Sequence, residues 1–305
     1  MGRFVIGRVL SLIPTMFVII TISFFIIRLA PGSPFSSEKA LPPEVLQDLK
    51  EQYGFDKGIL QQYTSYFVNL LQGDLGLSTK YPQRTVNEII GDGFPVTLTL
   101  ASVALVWALL LGITAGVIGA VRQNSVWDYS AMTAAMLGIS IPTFVLGPLL
   151  VLLFSLSIYV LPPAGWGSWR HIILPGLTLG TVRAAYIARL TRAGMLEIVG
   201  ADFIRTARAK GLKEGMIIYR HMLKGGLLPV VTYLGPAISF MMVGSIVVEK
   251  IFSTPGIGPY LVDATTNRDY FLVMGIVVLE SSFLLMMNLI VDLVYGYLDP
   301  RIRYE

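Results

Sequence analysis

The stretch GADFIRTARAKGLKEGMIIYRHMLKGGLLP, Gly200 to Pro229, is strongly basic and is flanked on both sides by apolar runs of membrane-spanning length. Asp202 suits a helix N-cap, the residues after it are helix-compatible, and Gly211 stands where a helix commonly ends in a left-handed residue that glycine adopts cheaply. The stretch predicts one short helix that stops at Gly211. On it Phe203, Ile204 and Ala207 form an apolar edge, while Arg205, Arg208 and the adjoining Lys210 point elsewhere. A helix this short is marginal in isolation and needs a surface to lie on: lipid headgroups, the chain's own helices, or a partner.

Working outward, 54% of the 305 residues are apolar and 14% are charged, against about 25% charged in a soluble domain. This is the balance of a polytopic membrane protein. The net charge of +4 matters less than its placement, because basic residues gathered in short loops report orientation. With no cysteine in the chain, disulfides and thiolate metal sites are excluded. Arg3 and Arg8 precede a long apolar run that lacks a small-residue cleavage pattern, so the run reads as an uncleaved first span with a cytoplasmic N-terminus.

That first span covers Val9 to Leu29, enough to cross a hydrocarbon core of about 30 Å. From Ala30 to Gly93 the chain carries eight acidic and five basic residues, the composition of a segment exported to the far side. Pro42 and Pro43 followed by Val45, Leu46, Leu49 and Tyr53 predict one amphipathic helix there, and Leu60 to Leu71 a second. Five more spans are predicted at Phe94–Val121, Ala131–Ile158, Ile172–Leu190, Leu227–Val248 and Phe271–Leu298. Six spans put both termini in the cytoplasm. The inner loops then hold Arg122, Arg189, Arg192, the basic residues of the opening stretch, Arg301 and Arg303, while the short outer loops hold little beyond Arg170, Lys250 and Arg268. Pro142, Pro148 and Pro175 predict kinks inside spans.

Catalytic patterns are missing. There is no phosphate-binding G-x-x-x-x-G-K-[ST], no H-E-x-x-H and no nucleophile elbow, and Gly256-x-Gly258 in TPGIG reads as a turn before a membrane-surface helix. The two histidines, His171 and His221, fall in different loops on opposite faces, which leaves no metal site. No interleaved aromatics accompany the basic run, so nucleic acid is not an expected partner. Charges inside spans carry more information, since each costs roughly 2.5–3.5 kcal/mol at a helix centre when it faces lipid. Arg183, Glu280 and Asp292 qualify. Arg183 and Glu280 are expected either to line a common aqueous path or to form a structural ion pair, with Asp292 nearer the cytoplasmic end as a packing partner.

The run Arg205-Thr206-Ala207 followed by Gly211, with Leu228-Pro229 seventeen residues on, resembles the cytoplasmic "EAA" loop of the permease subunits of bacterial ABC importers. ADFIRTARAKGL and RHMLKGGLLPVV are similar above all to the oligopeptide and dipeptide branch, and the likeness extends through RLAPGSPF (Arg28–Phe35), GDLGLS (Gly73–Ser78), TPGIG (Thr254–Gly258) and DPRIRY (Asp299–Tyr304). The general pattern begins with Glu where this chain has Arg205, so salt-bridge roles of that Glu do not carry over.

The resemblance implies an all-α integral membrane subunit of the type I ABC-importer class with six spans. Its expected organisation is a first span plus extracytoplasmic insertion (1–93), a membrane core (94–298) with a coupling loop at 193–226, and a cytoplasmic tail (299–305). It implies half of a peptide translocation pathway with no nucleotide site or cofactor of its own. ATP and Mg would be bound by two ATPase subunits, beside a second homologous permease and a periplasmic peptide-binding protein, in the bacterial inner membrane. The coupling helix would present Asp202, Phe203, Arg205, Thr206, Ala207, Arg208, Ala209, Lys210 and Gly211 to an ATPase, with Thr206, Ala207 and Gly211 at the interface. The dipeptide and nickel-chelate branches remain open at this point. A rival of another class is an ATP-independent peptide carrier or channel, which would need a relay of buried carboxylates where this chain offers mainly Glu280.

Overall fold

The computed structural model describes residues 2–30, 32, 34–35 and 42–298, with side chains outside the description at 2–5, 43 and 295–298. DPRIRY, Arg301, Arg303 and the tail 299–305 lie outside the described residues, as do part of RLAPGSPF and the side chain of Arg3. The chain is helical almost throughout. Among the described residues the only extended pairing is an isolated antiparallel bridge between Leu77 and Thr85.

The helices run α1 Gly2–Leu29, α2 Pro43–Gln52, α3 Ile59–Leu71, α4 Val86–Val121, α5 Val126–Ser140 and α6 Thr143–Val151, continued by a π-helical turn Leu152–Ser157. Next come α7 Trp169–Val199, α8 Asp202–Ala209, α9 Glu214–Met216 with a π-helical turn Ile217–Met222, and α10 Leu223–Gly226. Last are α11 Leu228–Ile251, α12 Ile257–Asn267 and α13 Tyr270–Leu298. Five helices are long and apolar enough to span a membrane, and α5 with α6 and its π turn makes a sixth if that bent pair is one span. The two amphipathic helices of the insertion and the helix after TPGIG all form where the sequence predicts them.

The third span departs from expectation. In place of a kinked rod there is a bend of 107° between α5 and the segment that starts at Thr143. Its cause is local: the residue before a proline is disfavoured in helical geometry, and Ile141 sits at φ −87°, ψ 115° ahead of Pro142. Pro148 and Pro175, by contrast, are accommodated inside α6 and α7. α4 and α7 each extend well past the apolar runs that predict them, α4 by starting at Val86 and α7 by continuing to Val199.

By compactness the described residues form two units whose limits differ from the sequential division at 93. One takes residues up to Thr97 together with Pro255–Leu285, and the other takes Leu98–Thr254 with the residues from Met286. The first has a core in which Val86, Ile89 and Ile90 of α4 meet Ile257 and Ala264 of α12 and Leu272, Val273 and Ile276 of α13. A second cluster there joins Ile20 and Phe24 of α1 to Tyr66 of α3 and Met274 of α13. Asp269, fully buried, starts α13: its carboxylate accepts from the Leu272 amide at 3.1 Å, from the Lys80 amide at 3.1 Å and from the Ser78 hydroxyl. A buried carboxylate is thus satisfied by donors from two segments that it ties together.

The other unit is organised around α7, which packs on α5, α6, α10 and α11. Small residues let it approach α4 at backbone distance. A Cβ on Gly180 would lie 2.6 Å from the Ala104 carbonyl oxygen, so the crossing admits no side chain there.

Candidate functional site

The basic loop is built from its underside. Ile204 is fully buried and Ala207 nearly so, in a cluster with Ala120 of α4, Met195 of α7, and Ile217 and Met222 of the segment after α8. This is the surface the short helix lies on, and it belongs to the chain itself. Phe203, assigned by spacing to the apolar edge, is instead 53% exposed, because the buried stripe runs through Ile204 and Ala207 alone. Asp202 is not the N-cap: Ala201 holds that position in extended geometry, and Asp202 is the first helical residue, where its charge still complements the helix dipole.

The predicted stop is observed. Gly211 has φ +74°, its amide donates to the Arg208 carbonyl at 2.9 Å, and the Leu212 amide donates to the Ala207 carbonyl at 3.3 Å. These two bonds make a Schellman motif, and Leu212 completes it by packing on the cluster around Ile204. Beyond the turn Arg208 holds Glu214 through Nη2–Oε1 at 2.6 Å and Nε–Oε2 at 3.2 Å. The hydrogen bond from Arg208 keeps the Glu214 carboxyl below its ordinary range and raises the guanidinium. Arg205, Thr206, Ala209 and Lys210 are exposed on the outer side with Phe203, and past the turn Met216 and Tyr219 are exposed too. Thr206 spends its hydroxyl on the Asp202 carbonyl at 2.9 Å. What the loop presents outward is therefore a basic face with apolar projections at Phe203, Met216 and Tyr219.

Two contacts that sequence reasoning missed set the frame around this loop, one between α7 and α10 and one between α7 and α5. A Cβ on Gly194 of α7 would stand 2.3 Å from the Gly226 carbonyl oxygen of α10, so the two backbones touch directly. Arg192, which the sequence reading assigns to an inner loop, lies within α7 and donates Nε and Nη2 to the two oxygens of Asp128, both at 2.7 Å. Asp128 is 2% exposed and also accepts from the Asn124 amide at 3.0 Å. The one local signal for it was the pattern Ser125-x-x-Asp128: Ser125 is the N-cap of α5 and accepts from the Asp128 amide.

Arg183 of α7 donates to the Tyr233 hydroxyl at 3.3 Å and lies 5.2 Å from the centre of the Phe240 ring, both on α11. Glu280 and Asp292 are partly buried on α13, separated by twelve positions, about 18 Å of helix rise. Sequence reasoning also passed over Glu249, fully buried in the last turn of α11, having read that turn as the edge of an outer loop.

Comparison with known proteins turns these features into an assignment. The family model "Binding-protein-dependent transport system inner membrane component" matches residues 108–304, and the N-terminal model of the same kind of membrane component matches residues 1–101. The chain belongs to this family. It is a multi-pass inner membrane permease subunit of an ABC importer, and ATP hydrolysis resides in separate subunits.

The permease is 47% identical to the oligopeptide transport system permease protein OppB of Salmonella typhimurium, with all of both chains covered. It is 42% identical to the dipeptide transport system permease protein DppB of Bacillus subtilis, over 99% of this chain and 98% of that one. Identity to the glutathione transport system permease protein GsiC of Escherichia coli O6:H1 is 41%, with all of both chains covered. Among solved structures, an inward-facing form of the MetNI methionine ABC transporter matches at 18% identity with TM-score 0.56, covering 69% of this permease and 96% of that chain. A second crystal form of that transporter gives TM-score 0.58. These structures establish the fold, that of the type I importer membrane subunit.

Proposed function

We propose that this permease forms half of the translocation pathway of an ATP-driven oligopeptide importer and that α8 is its coupling helix. The observation that carries the coupling role is the two-sidedness of α8. Its inner face is locked to the ends of α4 and α7 through Ile204, Ala207 and Met195, while Phe203, Arg205, Thr206, Ala209 and Lys210 stay exposed. A partner that displaces such a helix displaces the spans beneath it. Ala207, buried in the chain's own cluster, would transmit that movement, and Thr206 with Gly211 would sit at the contact.

The partners in this reading are two ATPase subunits carrying ATP and Mg, a second homologous permease, and a periplasmic peptide-binding protein that delivers the substrate. Both termini and the basic loop are cytoplasmic, in keeping with Arg8 at the start and the basic residues of the loop. Oligopeptides are favoured over dipeptides by the degree of identity to the oligopeptide relatives. The test is purification in detergent followed by reconstitution: an ATPase subunit should co-purify, and peptide uptake should require ATP. Uptake that persists without any ATPase would end this reading in favour of an ATP-independent carrier.

A further inference from the structure

Within the compact unit that holds α1, α2 and α3 lies an open cavity of about 330 Å³. That is the size of pockets that take small ligands. Its wall carries both signs of charge: Arg28 and Lys57 on one account, Glu51 and Asp74 on the other. Arg28, in the last turn of α1, is held in an aromatic cage. Its guanidinium carbon lies 4.5 Å from the centre of the Phe55 ring, 5.0 Å from Tyr270, 5.2 Å from Phe24 and 5.9 Å from Phe271.

Aromatic rings attract the cation but accept few of its N–H donors. A guanidinium has five N–H groups. Among the described residues Arg28 makes one hydrogen bond, Nη1 to Gln62 Oε1 at 2.6 Å, and no ion pair. Gln62 is itself aimed by its amide nitrogen, which donates to the Lys57 carbonyl at 2.7 Å. A second polar group of the wall is equally unfinished: Tyr66 is 5% exposed and its hydroxyl has no hydrogen-bond partner among the described residues. Burial raises that hydroxyl above its ordinary range, so it stays protonated and available as a donor. Buried polar groups of this kind are normally satisfied.

We propose that this cavity binds a small zwitterion of amino-acid or short-peptide size, its carboxylate received by Arg28 and its ammonium directed to Glu51 and Asp74. Planar donors matched to a carboxylate are what the caged guanidinium still offers. Carboxylates elsewhere on the wall make the cavity a poor host for a simple anion and a good one for a molecule with both charges. None of the residues that line it belongs to α8 or is Arg183, Glu280 or Asp292.

The absence of cysteine allows a direct test in the full-length protein. Ser65→Cys places a thiol on the cavity wall, and Leu60→Cys places one on the exposed side of the same helix, outside the cavity. Trialanine at millimolar concentration should slow maleimide labelling at position 65 and not at 60. Its C-terminal amide and its N-acetyl derivative should each protect at least about tenfold more weakly, since each removes one charge-assisted contact. Arg28→Gln on the Ser65→Cys background should abolish protection. If that variant fails to fold, the comparison of trialanine with its amide decides alone. Absent protection, equal protection at position 60, equal protection by the amide, or survival of protection in Arg28→Gln would each overturn the proposal. Full protection by N-acetyl-trialanine would overturn it too, by pointing to an acidic side chain of a partner protein in place of a free zwitterion.

Discussion

Glycine meets two different demands in the coupling loop, and they separate under substitution. At Gly211 nothing lies within 4 Å of where a Cβ would stand, so the requirement is the backbone angle, φ +74°. A non-glycine residue there costs about 1–2 kcal/mol and shifts the end of α8. We expect Gly211→Val to leave the amount of permease in the membrane near wild type while ATP-dependent peptide uptake falls several-fold; normal uptake would refute the role of the helix stop. At Gly194 the demand is space, since a Cβ would press on the Gly226 carbonyl oxygen at 2.3 Å. Overpacking of this sort costs about 1–3 kcal/mol, so Gly194→Ala should lower abundance and thermal stability in detergent. Gly215→Ala, with nothing within 4 Å, is the control and should match wild type in both measurements. Gly211 was legible because a helix stop is written in adjacent residues. The Gly194–Gly226 contact was not, because no local pattern announces which two glycines of a chain will face each other.

At the scale of elements, α8 is a short helix whose position is set by others, and the ion pair between α5 and α7 is one of those settings. Removing one partner of a buried pair leaves an uncompensated charge and commonly costs about 3–5 kcal/mol. Asp128→Asn should therefore reduce the folded yield, and the double variant Asp128→Asn with Arg192→Gln should recover part of it; equal loss in single and double variants would show that the pair itself does not matter. The Arg208–Glu214 bridge between α8 and α9 is a contrasting case, because both side chains are about half exposed. Exposed pairs contribute little, so Glu214→Gln should change uptake by less than about twofold, with salt erasing the difference. The sign with pH follows from the lowered Glu214 carboxyl: its contribution is full above the ordinary glutamate range and is lost as pH falls through the depressed value. Destabilisation of the loop on raising the pH from neutral, measured by protease sensitivity, would contradict that bridge. Helix positions were readable from apolar runs and prolines, since those determine local geometry. The 107° bend and the Asp128–Arg192 pair were not, the first because Pro142 breaks where Pro148 and Pro175 are tolerated, the second because its members are 64 positions apart.

For the molecule as a whole, the functional reading rests on which face of the membrane holds α8, and the charge bias behind the proposed orientation is independent of the fold. Arg122, Arg189, Arg192 and the basic residues of the coupling loop lie on one side of the proposed topology, and the mostly acidic insertion between α1 and α4 lies on the other. The chain contains no cysteine, so a single introduced thiol reports its own side. Leu60→Cys in α3 and Thr265→Cys in α12, both exposed, should react with a membrane-impermeant maleimide in cells whose outer barrier alone is opened. Gln123→Cys between α4 and α5, and Ala209→Cys at the end of α8, should react only after the inner membrane is permeabilised. These four positions lie after successive crossings, so one helix misassigned as a span would invert every position beyond it relative to those before it, and the point of inversion would identify that helix. Labelling of position 209 in cells with an intact inner membrane would place α8 on the receptor side, where no ATP is available, and would remove the basis for a coupling helix.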